Sequence, residues 1–132
     1  MDPRLAALAR EAPGAGDLTG PGVGTGSAEH PVCGDVVRVQ VRCVLGRIEA
    51  LAWRAKGCPA TLAVAAAAHA ALVGAQVAAS LGEARVELSK RLADRLAALG
   101  GLARHERHAE RIFQDALDQA LREGLRCGPA LA

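Results

Sequence analysis

The sequence predicts one α+β domain, in which a small antiparallel sheet packs against C-terminal helices. From Asp35 the chain alternates strictly, with Val37, Val39, Val41 and Cys43 on one face and Arg38, Gln40 and Arg42 on the other. That is the two-residue period of a half-buried strand. A second apolar run, Ile48 to Lys56, follows a Leu45-Gly46 turn and pairs with the first as a hairpin over residues 35–56, to which a third strand can add. Beyond it the apolar spacing becomes helical, and strands first with helices afterwards is the α+β order.

The elements follow in turn. Residues Pro3 to Arg10 suit a short helix with Leu5 and Leu8 on one side, and Pro13 to Gly26, rich in Gly, Pro, Thr and Ser, reads as a mobile linker. This gives a flexible segment over 1–26, a domain over 27–125 and a tail over 126–132. The second strand carries Leu51 and Trp53 on one face but alternates less cleanly than the first. Pro59 after Cys58 fits the first turn of a helix, where its missing N–H costs nothing, and Gly74 is a stop. That helix is apolar nearly all round, as a buried helix is. Leu88, Leu92 and Leu96 mark another helix, ended by Gly100-Gly101. The last runs from about His105 to Arg122, with Ile112, Phe113, Ala116, Leu117, Ala120 and Leu121 on one face and Gly124 as its cap.

Composition excludes several functions. The 132 residues suit one domain, whose core must be Ala, Val and Leu around single Trp53 and Phe113, because 51% of residues are apolar but only 2% aromatic. A formal charge of +2, with no basic run interleaved with aromatics, argues against nucleic acid as a partner. The nearest approach to a membrane span, Thr61 to Leu81, is mostly alanine and carries His69, Gly74 and Gln76, so a buried helix explains it and no membrane partner is expected. His69 reads as a helix-packing or partly exposed residue. The four cysteines follow no basic region, apolar block and cleavage site, which disfavours a disulfide scaffold and favours a reducing cytoplasm where thiols stay free. No nucleophile elbow, no phosphate-binding loop and no paired carboxylates in a cleft are present, so the chain is not read as an enzyme. Gly22-Val23-Gly24-Thr25-Gly26 is glycine-rich but precedes a cysteine loop instead of opening a helix.

The candidate chemistry lies in Cys33 and Cys58. Cys33 sits between Pro31 and Gly34 in a loop that lets backbone approach a ligand, with Asp35 two residues on. Cys58 follows Gly57 at a helix start, where the dipole favours thiolate. If the strands pair through the Leu45-Gly46 turn, partner numbers sum to about 91, and both cysteines come to the same end of the sheet. The other two are not ligands within one protomer. Cys43 is ten residues up a strand that starts at Cys33, roughly 33 Å away, and belongs to the core face. Cys127 is 19 residues past His108, roughly 28 Å along a helix, though from a flexible tail it could bridge to another chain.

The order GTG, Pro31-Val32-Cys33-Gly34-Asp35, two strands and a Gly57-Cys58 helix start resembles the U-type (IscU/NifU) iron–sulfur cluster assembly scaffold family. The likeness runs without a gap from about Val23 to Gly74 and more loosely to about Leu121. The family's second strand has an aromatic where Trp53 stands. Its remaining ligands come from a late stretch reading roughly LPPVK-x-HCS, for which Leu102 to Glu110 is the best local match. On that alignment His108 falls on the motif histidine, with His105 as the competing choice, and Ala109 falls on the third cysteine. Both prolines and the lysine are also absent.

The resemblance implies a cytoplasmic scaffold or carrier holding iron, zinc or a labile 2Fe–2S cluster on Cys33, Asp35, Cys58 and His108. It implies a cysteine desulfurase and recipient apo-proteins as partners, and a monomer or weak dimer. Sulfur would be received by Cys33 or Cys58 in place of the missing thiol. Where the family has small polar residues after the second cysteine, only Thr61 can still donate a side-chain hydrogen bond. The alternative reading is a degenerate paralogue that keeps the fold as an interaction module, with zinc or no metal.

Overall fold

The computed structural model describes residues 1–77 and 80–127, the last three by backbone alone. It is α+β, as the sequence predicts. Helix α1 (Pro3–Glu11) leads to strands β1 (Val23–Glu29), β2 (Val36–Val44) and β3 (Arg47–Lys56), then helices α2 (Pro59–Leu72), α3 (Leu81–Ala98) and α4 (Arg107–Cys127). The sheet is antiparallel in the order β1-β2-β3.

The hairpin turns at Leu45 and Gly46, both with positive φ (52° and 74°), the two-residue geometry whose twist matches the strands. Next to the turn Cys43 pairs with Ile48, a sum of 91. From Arg42 with Ala50 onward the sum is 92, because Glu49 is an extra residue, a bulge in β3. One inserted residue reverses the face of everything after it. Ile48 before the bulge and Leu51 and Trp53 after it therefore all reach the core beside Cys43, Val41 and Val39. This is why β3 does not alternate cleanly in the sequence.

Two expectations are corrected. The linker expected over 13–26 contains the first four residues of β1, Val23 to Gly26. A Cβ on Gly24 would lie 2.0 Å from the carbonyl oxygen of Ala120, and one on Gly26 2.0 Å from that of Ala116, so both positions need glycine for β1 to lie against α4. The earlier residues of that segment are tied to β3, since Trp53 N–H donates to the Gly14 carbonyl, Gly16 N–H to that of Trp53, and Trp53 Nε1 to the Pro13 oxygen at 2.8 Å. The last helix was expected to begin near His105 and end at Gly124. Instead a single 3-10 turn covers Arg104–Glu106 and α4 runs on to Cys127. Gly124 continues the ridge of small residues Ala116 and Ala120 toward Gly24, so it serves close packing and not a cap. Of the expected tail, 126 and 127 extend α4 and 128–132 lie outside the described residues.

Helix α2 is the central layer. Ala63, Val64, Ala65, Ala66, Ala67 and Ala68 are all fully buried, because β3, α1, α3 and α4 surround it. That is the condition in which an all-round apolar helix is stable. His69 Nδ1 donates to the Leu51 carbonyl at 3.0 Å, the packing role expected of it. Ser80 caps α3 through Glu83 N–H, and Arg85 Nε donates to Asp118 across to α4 at 2.6 Å. No described helix is long and apolar enough to cross a membrane.

Candidate metal centre

The site forms where the open end of the hairpin meets the starts of α2 and α4. Val36 pairs with Lys56, so the chain entering β2 and the chain leaving β3 lie side by side. One step beyond that pair, Gly57 (φ 148°) passes so close to Asp35 that a Cβ on it would sit 2.4 Å from Oδ1. Cys58 then takes the N-cap position of α2, with Pro59 in the first turn. Opposite, α4 begins at Arg107 and brings His108 in from its first turn.

Asp35 is the hub and is only 4% exposed. Its Oδ1 accepts the Cys58 N–H at 3.3 Å. Its Oδ2 accepts Thr61 Oγ1 at 2.9 Å and Cys58 Sγ at 3.1 Å, and lies 3.0 Å from His108 Nε2. Burial alone would push this carboxyl up. The bonds from Cys58, His108, Thr61 and the Cys58 backbone outweigh it and hold the group down at about 2. Asp35 is thus a carboxylate at neutral pH, placed at a helix N-terminus that favours it.

The histidine is oriented for ligation. His108 Nδ1 donates to the His105 carbonyl at 3.0 Å, which turns Nε2 toward the site. Nε2 faces Asp35 Oδ2 and, at 3.7 Å, Cys58 Sγ, and any proton it shares with the carboxylate is displaced when it takes a metal. Three electron-pair donors converge there, one each from Asp35, Cys58 and His108, all within 4.8 Å of one another. Mutually facing lone pairs repel unless a proton or a metal cation stands between them. A backbone carbonyl fixing the far nitrogen is the usual support of a metal-bound histidine. The set of one sulfur, one nitrogen and one oxygen suits zinc or ferrous iron, with a further position open.

Of the residues singled out in the sequence, Asp35, Cys58 and His108 come together. Cys33 is exposed in the neighbouring loop at the same end of the sheet and stands outside the trio. His105 is exposed and contributes its carbonyl alone. Ala109 is 1% exposed, in the core beside the site. Cys43 is buried on the core face of β2, which pushes its thiol pKa up, and the Cys127 side chain lies outside what is described. Thr61 serves the site by donating to Asp35, and it stands 3.4 Å from Cys58 Sγ.

Sequence reasoning missed His30. Its ring centroid is 4.7 Å from that of His108, and its Nδ1 accepts the Cys33 N–H at 3.1 Å. The available signal was its place three residues before Cys33, directly ahead of Pro31.

Comparison with known proteins points one way. A sequence profile of the NifU-like N-terminal domain matches residues 10–125. Two Archaeoglobus fulgidus proteins, iron–sulfur cluster assembly scaffold proteins IscU 1 and IscU 2, are each 29% identical to the chain over 98 residues. That stretch is 74% of this chain and 60% of each relative, so the chain spans less than two thirds of their length. The crystal structure of the N-terminal part of a nitrogen-fixing NifU-like protein from Brucella abortus has the same fold. It superposes with a TM-score of 0.69 at 19% identity, covering 95% of this chain and 94% of that one.

Proposed function

The chain belongs to the NifU-like N-terminal domain family, and we propose that it is a scaffold or carrier for iron–sulfur cluster assembly. In this reading it holds iron, zinc or a labile 2Fe–2S cluster on Asp35, Cys58 and His108, with Cys33 reaching in from its loop. The observation that carries the reading is the convergence of the three donor atoms on one point. The chain's own residues do three things there. Cys58 gives up its proton when it becomes a ligand, and with it the bond its sulfur now makes to Asp35 Oδ2. Thr61 and the Cys58 backbone keep the freed carboxylate in place. His108 keeps its orientation through the His105 carbonyl.

A cysteine desulfurase supplies sulfur and apo-proteins receive the product, in a reducing cytoplasm. Cys33 is the exposed thiol that a donor can reach, whereas Cys58 is half-buried and hydrogen-bonded. The Cys33 thiolate attacks the outer sulfur of the donor's persulfide, and the donor cysteine leaves as its thiolate. The protein then carries cargo and does not turn over a substrate.

One observation favours the second reading, an interaction module without cluster assembly: the position of the third thiol is a buried alanine, Ala109. Anaerobic reconstitution with iron and sulfide separates the two. The scaffold reading predicts a visible cluster absorption that decays more slowly in Ala109→Cys, because a third thiolate donates more strongly to iron than Asp35 does. No absorption in either protein would favour the interaction module.

A further inference from the structure

We propose that His30 is a positioning residue of the metal centre, holding the Cys33 loop in the conformation from which its thiol reaches the site. The inference rests on the reading of that site as metal-binding and adds a residue to it.

His30 spends every polar group it has on this loop except ring Nε2. Its backbone N–H donates to the Asp35 carbonyl at 2.8 Å, and its carbonyl accepts the Gly34 N–H at 2.8 Å. Its ring Nδ1 accepts the Cys33 N–H at 3.1 Å. Cys33 is itself exposed, and Gly34 has a φ of 73°, so a left-handed kink follows the thiol directly. Without the ring acceptor, the Cys33 N–H would have only water to bond, and a loop of exposed residues has little else to hold it.

The two histidines divide the work. A backbone N–H can only donate, so His30 Nδ1 is the bare nitrogen, whereas His108 Nδ1 donates to a carbonyl. Nε2 of His108 faces Asp35 and Cys58, while the bare nitrogen of His30 faces the backbone of Cys33. In this arrangement His30 is not a ligand. Its ring packs on that of His108, at 56° between planes, which joins the Cys33 loop to the first turn of α4.

The two contacts can be separated by substitution. His30→Asn keeps an acceptor, because Asn Oδ1 stands the same number of bonds from Cα as His Nδ1. His30→Phe keeps the ring on His108 without the acceptor, and His30→Ala removes both. The probe is cobalt(II) titrated into the full chain. The sulfur-to-cobalt charge-transfer absorption per bound cobalt counts thiolates, with Cys33→Ser as the one-thiolate reference, and melting temperature is recorded for each protein.

His30→Ala and His30→Phe should fall to the Cys33→Ser level, about half the wild-type intensity, and bind cobalt about tenfold more weakly. His30→Asn should stay at the wild-type level. Wild-type intensity in a folded His30→Phe, or failure of His30→Asn to retain it, would overturn the positioning role. If His30→Ala does not fold, the Asn and Phe proteins still decide. A wild-type band already equal to that of Cys33→Ser would remove Cys33 as a ligand and His30's role with it. Absence of cobalt binding by the wild type would overturn the metal centre itself.

Discussion

The Nε2 of His108 lies 3.0 Å from Oδ2 of Asp35, although the two residues are 73 apart in the chain. Two separate packing arrangements produce that meeting. The hairpin register sets Asp35 beside Gly57, and the glycines of β1 let α4 approach until its first turn overhangs the hairpin end. Neither acts through a ligand, so the site should exist before any metal arrives.

Gly57→Ala tests the first arrangement. An alanine there must adopt a φ of 148° and place its Cβ 2.4 Å from Asp35 Oδ1. Strain and overpacking together should cost about 2–4 kcal/mol in denaturant unfolding and should weaken metal binding. A loss under about 0.5 kcal/mol, within the range of ordinary surface substitutions, would show that the carboxylate is not packed against that glycine.

The acid limb of stability tests Asp35. Its folded pKa, about 2, lies below the ordinary 3.8, so the folded state prefers the carboxylate. The contribution is complete above about pH 4 and is lost as pH falls toward 2, with a size of about 2 kcal/mol. Unfolding of metal-free protein at pH 5 and pH 2.5 should show that loss, and Asp35→Asn should show a correspondingly smaller one. Equal losses in the two proteins would assign the acid sensitivity elsewhere, for instance to Asp17, which its arginine partners also hold low.

The hairpin was legible because Val37, Val39, Val41 and Cys43 repeat at the strand period, and one end of it could be located from the turn alone. The bulge at Glu49 was not, since a single inserted residue leaves no mark beyond the imperfect alternation of β3. The first four residues of β1 read as linker for a related reason. The strand's fully buried positions are Gly24 and Gly26, which carry no side chain, so that face shows no hydrophobic period. Asp35, Cys58 and His108 were found through motif spacing. His30 was missed because it acts through a backbone contact within its own loop, which no spacing rule describes.

The claim that Asp35, Cys58 and His108 form one metal centre is tested most directly by metal content after purification without oxygen. Wild type and Cys43→Ser should retain about one divalent ion per chain, while Asp35→Ala, Cys58→Ser and His108→Ala each lose most of it, since removing one of three donors leaves a site too weak to survive dilution. Equal retention in all five folded proteins would contradict a metal centre at this place.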